Sequence, residues 1–386
     1  MPNKRVRIAI LGTRGIPAQY GGFETFAEQL ATRLVREGHE VTVCCEKGGD
    51  YTADTYKGVR LEYVPAPHLG PLSIVWFDTI CMLKAARRHD LIYLLGYGAG
   101  SFAWVSRLFG TPIWTNMDGL EWKRSKWPWY GRLYLRFNEW CAAKFSSGMI
   151  ADSEGIREYL HRQYGLHHDI KMIPYGAEII STPPERALLS AFQVSADGYY
   201  LVVCRLEPEN HVLEIIQGFK ASKTTLELVI VGNSGSDTPY VRELKEIAGR
   251  RVRFVGTCYD KARLEALRFY SFAYFHGHSV GGTNPSLLEA LGCGNLIIAH
   301  DNVFNREVAG DAGSYFNNSS DIPRLIEAVE KLNDVERASC SAAASQRIRD
   351  HYTWESVTTK YMEMLEPKCV SRKARKVRKE NLKSWF

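Results

Sequence analysis

The feature that most constrains this chain is a unit that recurs from its first residues: a short β-branched run, a glycine turn, a helix and a second short run. VRIAILG (6–12) has no helical period, FETFAEQLATRLVREG (23–38) sets apolar residues at helical spacing, and HEVTVCC (39–45) returns to a strand pattern. Strand, helix and strand in that order imply a parallel sheet with a right-handed crossover. DLIYLLG (90–96), TPIWTNMDG (111–119), SGMIADS (147–153) and IKMIPYG (170–176) each read as a buried strand ending in a polar or glycine turn. SEGIREYLHRQYG (153–165) reads as a helix with Ser153 as its N-cap. The polar, proline-containing STPPER (181–186) breaks the pattern and is the expected linker. A second series follows: strands YYLVVC, LELVIVGN, VRFVG, FAYFHG and NLIIAHD, with helices expected over 211–222, 239–249, 261–270 and 284–294.

The expected fold class is therefore α/β, with two Rossmann-like, doubly wound parallel-sheet domains. Ligands of such sheets bind at the carboxyl ends of the strands, so two facing sheets would hold a ligand cleft between them. A length of 386 residues agrees with two domains. Composition removes other classes. Hydrophobic residues at 45% and charged residues at 24% exclude global disorder. Nine cysteines, an odd number with no Cys-x-x-Cys pair, speak against a disulfide scaffold or structural zinc and fit a reducing cytosol. The opening MPNKRVRIAILG reads as a first strand rather than a signal peptide. Leu91 to Ser106, an uncharged stretch, has 16 residues and three glycines. A spanning helix needs about 20 apolar residues, so this stretch reads as a buried strand passing through a glycine turn into a helix.

Three constellations could carry chemistry. The first joins strand one to helix one: Gly12-Thr13-Arg14-Gly15, then Tyr20-Gly21-Gly22-Phe23-Glu24. Glycine lets backbone approach a ligand closely, and a helix N-terminus favours an anion. A plain strand–helix turn is the alternative, although this loop is longer than usual. The second is RLEPEN (205–210), where Arg205 follows a strand and suits a phosphate oxygen pair, or else pairs with Glu207 or Glu209 on the surface. The third is HGHSVGGTNPSLLEA (276–290). Gly281, Gly282, Thr283 and the Asn284 cap open a helix as an anion seat, and Glu289 could accept hydrogen bonds from sugar hydroxyls or lie on the helix surface. His276 and His278 share one strand face, with no further ligand expected nearby, so no metal is expected. No Asp-x-Asp or His-Glu-x-x-His occurs. A bound diphosphate would thus be neutralised by protein cations and backbone amides.

These residues resemble the two-Rossmann-domain (GT-B) glycosyltransferases of family 4, a retaining class, over residues 5 to about 365. The resemblance implies an N-terminal acceptor domain at 1–180, joined by a C-terminal helix near 353–366, a nucleotide-sugar donor domain at 187–350, and a tail at 367–386. It implies that Gly21 and Gly22 approach the donor phosphates, that Arg205 binds the diphosphate, and that Glu289 touches the donor. Two positions depart: the family's Lys is Asn210 here, and the first Glu of its Glu–seven residues–Glu motif is Gly281. A narrower resemblance lies in GTRGIPAQYGGFET, TNMDGLEWKRSKW, ADSEGI, RLEPEN and HGHSVGGTNPSLLEA. Together they are similar to bacterial rhamnosyltransferases of cell-wall and surface-polysaccharide assembly. That subgroup also carries the Asn and the Gly. It uses a nucleotide-activated rhamnose, typically dTDP-linked, and often a polyprenyl-diphosphate-linked acceptor.

For the catalytic step this reading names Arg205, Asp118 and Asp152; the two carboxylates stand at strand ends where they could orient or deprotonate the acceptor hydroxyl, or act only as turn and cap residues. Acceptor candidates are Asp118, Glu121, Trp122, Lys123, Arg124 and Tyr175. Residues 114–140 hold Trp114, Trp122, Trp127, Trp129 and Trp140 among Lys and Arg side chains. That mixture suits a membrane–water interface, or is a buried aromatic cluster with a basic rim. The last 20 residues, 367–386, carry eight Lys or Arg against one Glu, while the whole chain is only +6. The tail is thus a second candidate for an anionic membrane surface, and a cytoplasmic protein peripheral to the inner membrane face is expected. The competing expectations are a non-catalytic membrane-docked scaffold of the same fold, a transferase for another hexose, and a sugar-nucleotide epimerase.

Overall fold

The computed structural model describes residues 5–18, 21–67, 72–165, 169–233 and 238–365. The basic tail lies outside the described residues. The described residues form two compact units: one of those in 5–122, 127–174 and 354–365, the other of those in 123–126 and 175–353.

The first unit holds an eight-stranded sheet of β1 (Arg7–Leu11), β2 (Glu40–Glu46), β3 (Thr55–Tyr56), β4 (Val59–Val64), β5 (Leu91–Leu95), β6 (Ile113–Asn116), β7 (Gly148–Ala151) and β8 (Ile170–Met172). Their order is β3-β4-β2-β1-β5-β6-β7-β8. All neighbours pair in parallel except β3 with β4, an edge hairpin that alternation in the sequence did not reveal. Every residue of β5, LIYLL, is buried, as expected of a parallel strand covered on both faces. The helix Gly22–Arg36 crosses from β1 to β2, burying Phe26, Leu30 and Leu34. The helix Trp354–Leu365 packs on it, with Phe26 centred 5.9 Å from Trp354 and 6.1 Å from Tyr361. The glycine-bearing stretch after β5 becomes a 3-10 turn (Gly100–Phe102) and a short helix (Trp104–Leu108).

The second unit holds a six-stranded, all-parallel sheet: β9 (Tyr199–Val203), β10 (Glu227–Val231), β11 (Val252–Gly256), β12 (Ala273–His276), β13 (Ile297–His300) and β14 (Gly313–Phe316), in the order β11-β10-β9-β12-β13-β14. Tyr200, Val202, Phe219, Ile230, Phe275 and Phe316 lie at the centre of its core. The unit begins at Tyr175, before the expected linker, because the chain at 177–180 is already bonded into it. Ala177 N–H donates to the Tyr352 carbonyl (2.8 Å) and Ile180 N–H to the Gly292 carbonyl (2.9 Å). Among the described residues, no helix is long and apolar enough to cross a membrane.

Candidate functional site

In the first unit the long loop after β1 is built around Gly12. It has φ +83°, and a Cβ there would lie 2.1 Å from the Leu95 carbonyl oxygen, so β1 can leave beside β5 only at a glycine. Two carboxylates of the following helix hold the loop: Arg14 N–H donates to Glu24 (3.3 Å) and Ala18 N–H to Glu28 (2.9 Å). Gly21 is the N-cap, in extended backbone, and makes no side-chain cap. A Cβ on it would come within 2.8 Å of a Glu24 oxygen. The helix therefore opens with bare backbone at Gly21 and Gly22, the form an anion seat takes.

Asp118 and Asp152 follow β6 and β7. Asp118 has φ +43°, and its N–H donates to Asn116 Oδ1 (2.9 Å), so its backbone closes a tight turn. Asp152 is buried at 1% exposure, while Asp118 is partly open. Both approach Tyr93, whose hydroxyl titrates above its ordinary range, first through burial and further through the charges of Asp152 and Asp118. Tyr93 and Tyr361 share a hydrogen bond between hydroxyls at 2.5 Å. Nothing in the sequence links those tyrosines, which lie 268 residues apart. The acceptor candidates Glu121 and Trp122 are fixed side chains. Glu121 accepts from Trp127 Nε1 (3.1 Å), and its N–H donates to the Tyr97 hydroxyl (3.0 Å). Trp122 Nε1 donates to Glu139 (3.1 Å), which also accepts from Tyr159 (2.8 Å) and Tyr164 (2.6 Å). Glu139, missed in the sequence, had one signal: it is the single acid of the helix Trp129–Phe145. Trp114 is a core residue at 2% exposure.

In the second unit Arg205 stands at the end of β9, its side chain 60% exposed. Asn210 is buried, and its side-chain amide donates to the Arg205 carbonyl (2.7 Å), closing the loop 205–210. Its amide N–H is thus engaged within the loop, where the sequence reading had placed Asn210 among the donor contacts. Lys123 is exposed, but Arg124 lies against this loop. Its guanidinium is 3.4 Å from Glu207, whose other oxygen is 3.8 Å from Arg205. Ser125 Oγ donates to Glu209 (2.7 Å), and the N–H and Oγ of Ser279 both donate to the Glu209 carbonyl (3.0 Å each). Gly277 completes the approach: a Cβ there would stand 1.9 Å from the Asn210 carbonyl oxygen. Arg124, expected on the acceptor side of an N-terminal domain, thus forms a cationic pair with Arg205 across Glu207. Tyr175 also falls in this unit and is buried.

The helix Pro285–Gly292 opens beside them. Asn284 caps it by accepting from Ser286 N–H (3.0 Å), Gly282 and Thr283 are buried, and Gly281 has φ +128°. Glu289 is held at 2.6 Å by Arg268, a guanidinium only 6% exposed on the helix Lys261–Phe269. Sequence reading missed Arg268, which looked like any basic residue of an amphipathic helix. His276 and His278 do have histidine neighbours, contrary to expectation. They stack at 4.4 Å, and His211 stacks on His300 at 4.0 Å. Burial pushes His276 down to about 3 and His300 to about 4, with neighbouring histidine charge adding to each. Burial also lowers His278, helped by His276, Arg124 and Arg205. Stacked rings do not converge their nitrogens, and among the described residues no group of three or more His, Cys, Asp or Glu is arranged to hold a metal ion.

Residues 192–347 match the family described as glycosyl transferases group 1, and residues 5–178 match one described as a domain of unknown function (DUF1972). No curated protein matches the chain. Solved structures similar to it include the sucrose-phosphate synthase of Thermosynechococcus elongatus (15% identity, TM-score 0.73, covering 93% of this chain and 98% of that one). Anabaena Alr3699/HepE in complex with UDP-glucose is also similar (18% identity, TM-score 0.73, 94% and 99% covered). So is an alpha,alpha-trehalose-phosphate synthase (UDP-forming) from Burkholderia vietnamiensis (13% identity, TM-score 0.68, 94% and 99%). At these identities the structures establish the fold, GT-B. The chain carries a glycosyl transferase group 1 domain in its second unit, and in class it is a glycosyltransferase.

Proposed function

We propose that this chain is a retaining glycosyltransferase that moves rhamnose from a nucleotide-diphosphate donor, dTDP-rhamnose, to a polyprenyl-diphosphate-linked saccharide. Its product would feed a bacterial cell-wall or surface polysaccharide, and it would work at the cytoplasmic face of the membrane. The observation that carries the donor reading is the pair of guanidiniums, Arg205 and Arg124, around Glu207 at the carboxyl end of β9. Charge-assisted contacts to a diphosphate are what such a pair supplies. Anabaena HepE, of the same fold, binds UDP-glucose, which supports a nucleotide-diphosphate sugar as the ligand class. The resemblance of five separate strings to rhamnosyltransferases supports the sugar, as does Gly281, which offers no side chain to a donor hydroxyl.

In this reading the bond from the sugar's anomeric carbon to the phosphate oxygen breaks, and a bond from that carbon to the acceptor oxygen forms on the same face. The acceptor proton passes to the departing phosphate. Arg205, Arg124 and the backbone at Gly282–Asn284 stabilise the charge that grows on the leaving diphosphate, which is the main lever in such a step. Glu289, aligned by Arg268, accepts from donor hydroxyls. Asp118, partly open, orients the acceptor hydroxyl, while buried Asp152 shapes the pocket around Tyr93. The reading assigns charge neutralisation to the chain's own cations and amides. Purified protein should release dTDP from dTDP-rhamnose in the presence of polyprenyl-diphosphate saccharides, with Arg205→Ala lowering release by at least about tenfold. No turnover of any sugar nucleotide would leave the scaffold reading, and isomerised donor without transfer would leave an epimerase.

A further inference from the structure

Helix Trp129–Phe145 is amphipathic with its apolar stripe turned outward. Trp129, Leu133, Phe137 and Trp140 recur every three or four residues and are exposed by 73%, 58%, 54% and 44%. Its buried face holds only one large apolar residue, Leu135, among Asn138, Glu139, Cys141, Ala142 and Ala143. The neighbouring short helix Trp104–Leu108 shows the same inversion, with Trp104 42% and Leu108 66% exposed. The two are joined through Arg107, which donates to the carbonyls of Phe145 and Lys144 (3.0 Å each). Helix Leu72–Ala86 packs beside the short helix and adds Trp76, 52% exposed. A soluble surface seldom gathers this many large apolar side chains in one place, and such a patch marks a docking site.

The charges around it identify the partner. Arg132, Arg136 and Lys144 are exposed along the same helix, and Arg87 stands over the Phe109 ring at 4.9 Å. The acids of these three helices, Asp78 and Glu139, are both buried. The face is thus apolar, rich in tryptophan and cationic, with no exposed carboxylate on any of the three helices. An anionic bilayer surface complements it: indole rings sit at headgroup depth, and each cation near anionic lipid contributes about 1 kcal/mol. We infer that this three-helix face of the first unit is the membrane-docking surface of the protein, lying flat on anionic lipid with Trp129, Trp140 and Trp104 at the headgroup level. This deepens the proposed work on a lipid-linked acceptor. It also redraws the aromatic segment seen in the sequence. Trp114 is core, and Trp122 and Trp127 are held by Glu139 and Glu121, so only Trp129 and Trp140 of those five tryptophans belong to the face.

The test is co-sedimentation of the full chain with vesicles of equal parts phosphatidylcholine and phosphatidylglycerol, without donor or acceptor, so that failure here leaves the transferase reading untouched. Wild type should bind these vesicles and leave pure phosphatidylcholine vesicles largely free. Combined Trp129→Ser, Leu133→Ser, Phe137→Ser and Trp140→Ser should weaken partitioning by at least about tenfold, since their apolar area no longer leaves water. An independent pair, Arg132→Glu with Arg136→Glu, should weaken it too, and its surface positions keep the fold testable by circular dichroism. Both variants retain the basic tail. Undiminished binding by folded variants would therefore assign docking to the tail and overturn the proposal. Light scattering that shows a wild-type dimer lost in the serine variant, with vesicle binding unchanged, would overturn it in favour of self-association.

Discussion

If Arg124 and Arg205 serve one diphosphate, removing either should cost transfer by a calculable amount. A hydrogen bond to a charged group is worth about 1.5–3 kcal/mol. At about 1.4 kcal/mol per tenfold, Arg124→Ala should lower kcat/KM by roughly 10- to 150-fold. The geometry adds a second effect. Glu207 lies 3.4 Å from Arg124 and 3.8 Å from Arg205, so deleting Arg124 lets Glu207 turn wholly to Arg205 and compete with the donor. Arg124→Ala should therefore sit toward the upper end of that range. Adding Glu207→Gln should return part of the loss by freeing Arg205. The measurement is nucleoside diphosphate release under kcat/KM conditions for wild type, Arg124→Ala, Arg205→Ala, Glu207→Gln and the doubles, read as a mutant cycle. A loss of less than twofold in Arg124→Ala, or strict additivity of Arg124→Ala with Arg205→Ala, would refute a shared diphosphate. A loss with no rescue by Glu207→Gln would mean that Arg124 matters only for fixing the loop.

Other consequences follow from single contacts. Arg268→Met leaves the Glu289 carboxylate without its buried guanidinium; because Glu289 is partly exposed, a loss of about 2–3 kcal/mol is expected, below the 3–5 typical of a fully buried pair, and urea midpoints will measure it. His276 titrates near 3 in the folded chain but near 6.5 when unfolded, so the unfolded state binds more protons between those values. Stability should consequently fall by about 1.4 kcal/mol per pH unit as pH drops through that window, His300 acts in the same direction, and a His276→Gln variant should flatten the slope of urea midpoints against pH. Transfer should persist in EDTA if diphosphate neutralisation belongs to Arg205 and Arg124, and activity restored only by added Mg²⁺ would contradict that assignment. Gly12→Ala should unfold the first unit or leave it marginal, because its Cβ would meet the Leu95 carbonyl at 2.1 Å, and soluble yield with thermal melting will report it.

The alternation of buried runs and amphipathic helices made both sheets legible because a parallel strand covered on two faces must be apolar throughout, as LIYLL and YYLVV are. The two-residue β3 escaped notice because so short a strand has no period to read. The loop glycines Gly12, Gly21 and Gly22 were visible because their neighbours in sequence supply the turn. Arg268, Glu139 and Tyr361 were invisible because each acts across a distance that only the fold closes: Arg268 upon Glu289, Glu139 upon Trp122 and two tyrosines, Tyr361 upon Tyr93. Arg124 was legible as a candidate but its contact with Glu207 was not, since a four-residue segment grouped with the second unit leaves no signature in hydrophobic pattern.

The two departures from the resembled family look, in sequence, like two independent losses of a charged side chain. In the structure each is tied to the backbone around it. Asn210 closes the Arg205 loop through its side-chain amide, and its carbonyl is where Gly277 must pass. A lysine at 210 could not donate in that buried position without carrying its charge into the core, where an ammonium is costly unless paired. Arg124 meanwhile brings a second cation to the same loop, so the charge missing at 210 is present in space. Gly281 has φ +128°, backbone that a side chain rarely adopts, so a glutamate there would need the loop before Asn284 to be rebuilt. Both positions are therefore coupled to the backbone around them. A chain that had merely lost donor binding would have no reason to fit Gly277 against the Asn210 carbonyl, or to hold Glu289 with a buried arginine. Those contacts favour a transferase with an altered donor pocket over an inactive scaffold.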